Sequence, residues 1–177
     1  MNSERSQPDP TKIKETIDLL KDPETKLGDN PEIVKATLEN GLRIRVNARS
    51  FEFISDEPEK ICGANSGPRP TEYVLGALGS CMAILYSMYA VIDNIKIDKL
   101  IITLRGYDGD SRIMFDMKEG NPGFEKIDYN VEIESNDDYN KIKKLRETVE
   151  RSSPIRDTIS RPIPLTGNLT VNGVQVK

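Results

Sequence analysis

Two cysteines, Cys62 and Cys81, are the residues best able to do chemistry in this chain. Histidine is absent, which removes Ser–His and Cys–His nucleophile pairs and every metal site that needs imidazole. Two thiols cannot build a four-thiolate centre or a disulfide framework. Chemistry has to run on cysteine, carboxylate, lysine, arginine or tyrosine, and neither a metal nor an organic cofactor is expected. Cys81 sits in Gly79-Ser80-Cys81-Met82-Ala83, where a free cysteine can simply pack like a small hydrophobe. To act as a nucleophile it must become a thiolate. The third turn of a helix gains little from the dipole, whose effect is concentrated in the first turn. Activation would therefore come from a cation brought from elsewhere, and Arg43, Arg45 and Arg49 are the supply. An arginine beside a thiol favours the thiolate and can hold an oxygen as negative charge moves onto it.

The elements that must position these groups fit one ordinary domain of 177 residues, 36% apolar and 31% charged. With 29 acids against 25 bases, net charge is −4, and no long basic run suggests nucleic acid as a partner. The run Lys141, Lys143, Lys144 and Arg146 reads as a solvated helix face. Asp108 and Asp110 around Gly109 read as a turn, because the remaining ligand positions of a calcium loop are not filled. The polar N-terminus lacks an apolar leader, so a cytoplasmic location is expected. From Tyr73 to Ile92 no residue is charged, which is roughly the length needed to span a bilayer. Gly76, Gly79, Ser80 and Ser87 interrupt that run, and the mean hydropathy of the chain is −0.52. It reads as a helix buried on nearly all sides, with no membrane span expected.

Along the chain, residues 1–31 read as a tail and a short helix, capped by Asp9 and started by Pro10, with Ile13, Ile17 and Leu20 on one face. Ile33–Glu39 and Leu42–Ala48 flank Asn40-Gly41, a signal for a type I′ hairpin. A third extended piece spans Ser50–Ile54. A loop rich in Gly and Pro, holding Cys62, leads into the long helix at about 71–93. Strands are expected at 97–107, at Ile113–Met117 and at Lys126–Glu134. A helix follows from the Asn136 region to about Arg151, with Ile142, Leu145 and Val149 buried and Pro154 ending it. Asn168–Val176, holding a second Asn-Gly, is extended. The order gives an α+β fold with antiparallel sheet over residues 32–177. A helix apolar all round has more surface to hide than one small sheet covers. The small residues Gly79, Ala83 and Ser87, with Gly76 and Ser80, suit close approach of a second such helix from another copy.

The run from Gly67 through Pro68, Arg69, Pro70, Thr71, Glu72 and Tyr73 to Gly79-Ser80-Cys81-Met82-Ala83 resembles the OsmC/Ohr family of osmotically inducible and organic hydroperoxide resistance proteins. Phe53 with Asp56-Glu57-Pro58, Asn121-Pro122-Gly123-Phe124, and Val149 to Pro164 match in the same order, so the resemblance covers about residues 32–176. It implies an intertwined homodimer in which antiparallel sheets wrap a pair of long apolar helices. It also implies thiol-dependent reduction of organic hydroperoxides. Cys81 would attack the peroxide and become a sulfenic acid, and a second cysteine would close a disulfide for an external thiol reductant to open.

Two positions depart from that pattern. The family's resolving cysteine, just before a proline, falls here on Ser153 of Ser152-Ser153-Pro154, and a hydroxyl forms no disulfide. The glutamate that the Ohr branch carries ten residues before its cysteine is Thr71, with Glu72 one position off. The expected site therefore comprises Cys81 as nucleophile, Arg49 as activator and Glu72 as its orienter. Cys62 is a candidate replacement resolver, provided the loop folds back so that the two Cα atoms come within about 7 Å. Tyr73, Leu78, Met82 and Tyr89 are expected to line a pocket for the peroxide tail, or else to be plain core. The rival reading is a dimer that kept the shell but lost turnover and binds a small apolar ligand or has a structural role in stress. A one-cysteine enzyme resolved by an outside thiol is the third.

Overall fold

A computed structural model describes residues 8–22, 31–109 and 120–176 of the chain. Helix α1 (Pro10–Lys21) starts where the sequence predicts: the Asp9 carboxylate accepts from the Thr11 amide at 2.9 Å, satisfying an otherwise orphaned donor. It lies against the long helix with Ile13 buried. Strands β1 (Val34–Asn40), β2 (Arg43–Ala48) and β3 (Phe51–Ser55) form an antiparallel sheet in that order. Their first hairpin turns on Gly41-Leu42, not on Asn40-Gly41, because Asn40 already pairs with Arg43. Only Gly41 of the two central residues has positive φ, +58°. That matches a type II′ turn, whereas type I′ would force Leu42 into the left-handed region as well.

The long helix α2 (Pro70–Ile92) is followed by an antiparallel pair, β4 (Lys99–Asp108) and β5 (Phe124–Glu134). Inward residues alternate along both: Leu100, Ile102 and Leu104 on β4, with Ile127, Tyr129, Val131 and Ile133 on β5. They pack on Leu78, Met82, Tyr86 and Ala90 of α2 and on Leu145 and Val149 of α3 (Tyr139–Ser152). Asp138 caps α3 through the amides of Asn140 and Lys141. Pro154 does more than end that helix. Ser153 caps a further one, α4 (Pro154–Ser160), with Pro154 in its first position, where proline is favoured. The chain closes with a hairpin of β6 (Leu169–Val171) and β7 (Val174–Val176), turning on Asn172-Gly173 with φ of +52° and +80°. The expected strand Ile113–Met117 lies outside the described residues.

The architecture is α+β with small antiparallel sheets and one long apolar helix, as expected. By length and composition α2 alone, among the described residues, is long enough and apolar enough to cross a bilayer. Within the chain it buries one stripe, at i, i+4, i+8 and i+12 from Leu78 to Ala90. Gly79 sits on the sheet side, where an added Cβ would come within 2.7 Å of Leu104 Cδ1. Its smallness therefore serves approach to the chain's own β4, which takes it out of the row expected to meet a second helix. Ala77, Ser80 and Ile84, at i, i+3 and i+7, lie on the other side and are exposed, Ile84 by 59%.

Candidate active site

Helix α2 carries Cys81 at its midpoint, on the border between the covered stripe and the open side, and the thiol is half-buried. Its Sγ lies 3.3 Å from Ser153 Oγ, 72 residues further along the chain. Two elements make that meeting. The Leu145 and Val149 stripe docks α3 on α2, and the chain then breaks at Ser153-Pro154, leaving Ser153 only 2% exposed. The same Oγ accepts from the Arg156 amide at 3.2 Å as the cap of α4. Its hydrogen remains available for the sulfur, and a thiolate has none to give, so Ser153 is the donor to an ionised Cys81.

The other expected site residues do not gather there within one chain. Arg49 lies in the turn after β2, with φ of +55°, and holds its guanidinium 5.0 Å over the Phe51 ring. Glu72 accepts from the Arg69 amide at 2.8 Å, capping the first turn of α2, and has no bond to Arg49 within the chain. Tyr73 donates to the Ile54 carbonyl at 2.5 Å and packs on Phe53, pinning β3 to the helix start. Met82 is fully buried and Tyr89 packs against the same core, so both are core. Leu78 alone of the four expected pocket residues lines a described hollow. That hollow, about 350 Å³, is also walled by Phe124, Ile127, Tyr129, Ile159 and Arg156. Leu78 is one helical turn before Cys81, and the Arg156 amide is bonded to Ser153; Cys81 and Ser153 themselves do not line the hollow.

Cys62 is exposed, in the left-handed conformation at φ +69°. Its loop is tied to the entry of α2. The buried Asp56 carboxylate accepts from the Ser66 hydroxyl at 2.7 Å and from the amides of Ser66, Ala64 and Glu57. These bonds, the Ser66 hydroxyl first, hold the Asp56 carboxyl below the usual carboxylate range. The Asp56 amide donates to the Pro68 carbonyl at 3.3 Å, and Arg69 pairs with Glu57 at 3.0 Å. Both thiols are free.

Sequence reasoning missed Arg156 and α4. The signal was present in Ser153-Pro154, a cap followed by a favoured first position, but the proline read as a stop. Arg156 Nη1 donates to the Glu150 carbonyl at 3.2 Å. The Glu150 carboxylate takes bonds from Arg146 at 2.8 Å and Tyr129 at 2.9 Å. Burial pushes Glu150 up, yet those two bonds and the arginine charges outweigh it and leave the carboxyl below its ordinary value. Among the described residues no group of three or more Cys, Asp or Glu side chains is arranged to hold a metal.

The family model for OsmC-like protein matches residues 63–167, which takes in α2, Cys81 and Ser153. An OsmC-like protein from Mycoplasma pneumoniae has a similar structure, with a TM-score of 0.64 at 22% identity, over 75% of this chain and 89% of that one. A protein from Psychrobacter arcticus, described in osmotic stress and detoxification response, gives 0.60 at 17% identity, over 75% of this chain and 91% of that one. An organic hydroperoxide resistance protein OsmC from Legionella pneumophila gives 0.54 at 14% identity, over 75% and 90%. At such identities the likeness is one of fold. No curated protein matches the chain.

Proposed function

The chain belongs to the OsmC-like protein family, and from that membership we propose that it reduces organic hydroperoxides through Cys81 as a cytoplasmic homodimer. The observation that carries this is the half-buried Cys81 thiol facing the Ser153 hydroxyl at 3.3 Å, one helical turn from Leu78 in the wall of a hollow of about 350 Å³ that mixes apolar side chains with Glu125, Lys126 and Arg156. The Cys81 thiolate attacks the terminal peroxide oxygen, the O–O bond breaks, and the alkoxide leaves as an alcohol after taking a proton. Cys81 becomes a sulfenic acid. Electrons to restore it come from thiols outside the chain. The tail of the peroxide lies against Leu78, Phe124, Ile127 and Ile159.

Arg49 remains the proposed activator, now supplied by the second copy. Within its own chain it rests on Phe51, and β1 is exposed along its whole length, so the sheet that carries Arg49 has room to reach across to another chain. Hydroperoxide consumption in the presence of a dithiol tests the proposal. Wild type is expected to consume cumene hydroperoxide, Cys81→Ser to lose activity entirely, and Arg49→Ala to slow it by about 10- to 100-fold. A Cys81→Ser variant as active as wild type would remove the peroxidase reading. It would leave the rival, a dimer that binds a small apolar ligand without turnover, which Ser153 in place of a second cysteine favours.

A further inference from the structure

We infer that the protein turns over with a single redox cysteine, and that Ser153 is a catalytic hydrogen-bond donor which leaves the oxidised Cys81 open to a small external monothiol. The inference rests on the peroxidase reading of Cys81. The side chain that meets the sulfur is a hydroxyl, at 3.3 Å and 2% exposed, and it cannot be oxidised to a disulfide partner. The Arg156 amide fixes the Ser153 oxygen from the other side, which directs its single hydrogen at the sulfur. In the attack step that hydrogen bond steadies the thiolate. In the product it holds the sulfenic acid without consuming it.

On this proposal the missing thiol is not Cys62 of the same chain. Its loop is bound to the start of α2 through Asp56, Pro68 and the Arg69–Glu57 pair. Cys81 lies eleven residues beyond Pro70, about 16 Å along the axis at 1.5 Å per residue, whereas a disulfide needs Cα atoms within about 7 Å. Resolution then proceeds in two steps that balance. The Cys81 sulfenic acid and one monothiol give a mixed disulfide and water. A second monothiol attacks the outer sulfur, releases Cys81 as a thiol and leaves as the symmetric disulfide. The two electrons delivered to the peroxide come from those two thiols.

The test is mass spectrometry of the full chain after one equivalent of cumene hydroperoxide, followed by one equivalent of 2-mercaptoethanol and an acid quench that protonates the remaining thiol and so holds the mixed disulfide. The expected product is a mixed disulfide on Cys81. In Ser153→Cys, oxidation is expected to give a Cys81 disulfide with the introduced thiol and no mixed disulfide before reduction. Ser153→Ala is expected to slow the reaction with hydroperoxide about tenfold, and to move the pH profile of Cys81 alkylation by iodoacetamide upward. Loss of the α4 cap alone would leave that profile in place. A Cys62–Cys81 disulfide in wild type, within a chain or between two, overturns the inference while leaving the peroxidase reading intact. So does Ser153→Ala reacting at the wild-type rate with an unmoved profile. If Cys81 stays a free thiol and the hydroperoxide is not consumed, the peroxidase reading itself fails.

Discussion

Tyr86 shows how a single side chain can be expensive to keep. It is fully buried among Leu78, Met82 and Leu145, and its hydroxyl has no hydrogen-bond partner among the described residues. Burial pushes the phenol up to about 12, with Arg146 partly opposing it. Because the folded value lies above the ordinary one near 10, the folded chain holds the proton more tightly than the unfolded one. The contribution of Tyr86 to stability is then constant below pH 10 and falls as pH rises towards about 12. Absorbance titration is expected to show one tyrosine ionising near 12, and Tyr86→Phe to remove that step. The phenylalanine variant is also expected to gain about 1 kcal/mol in chemical denaturation, because an unsatisfied buried hydroxyl costs about 1–3 kcal/mol. A loss of stability would mean that the hydroxyl is bonded in the assembled protein. At this scale the sequence disclosed Cys81 and, through the motif before a proline, the serine that faces it. Arg49 and Glu72 each have a task within the chain, stacking on Phe51 and capping α2, that spacing does not reveal.

Among the elements, α3 fixes the site because it delivers Ser153. Its amphipathic stripe was legible from Ile142, Leu145 and Val149, and Leu145 and Val149 are fully buried. Leu145→Ala is expected to cost about 2–5 kcal/mol as a core truncation. It is also expected to loosen the Cys81–Ser153 contact, read as faster alkylation of Cys81 in native buffer. Unchanged alkylation would mean that α4, not α3, positions Ser153. Strand and helix periods were readable because each buries one face against a partner within the same chain. Turn chemistry was less so. Asn-Gly makes the type I′ pair at Asn172-Gly173, but Asn40 is used as the last paired residue of β1 and the turn shifts to Gly41-Leu42. Local dipeptides lose to register when the flanking strands pair one residue further.

For the whole molecule, the apolar surface left uncovered is the dominant fact. Ile33, Val34 and Leu38 on or beside β1, Ile84 on α2, and Leu169, Val171 and Val174 on the last hairpin are all well exposed. A chain with that much exposed apolar side chain ordinarily meets a partner, and a second copy is the proposed one. Light scattering is expected to give a dimer for wild type. Ile84→Asp is expected to give a monomer with peroxide reduction at least tenfold slower, since Arg49 would no longer arrive from the other chain. A monomeric wild type would refute both parts. The sequence foretold this only in outline, because a helix apolar all round shows that two sides must be covered but not which side its own sheet takes; Gly79 proved to face β4. Peroxide chemistry at Cys81 is most directly tested by treating the reduced protein with one equivalent of cumene hydroperoxide, trapping with dimedone and digesting. The expected result is a dimedone adduct on the Cys81 peptide with the hydroperoxide consumed in equal amount. An unmodified Cys81 with the hydroperoxide still present would contradict it.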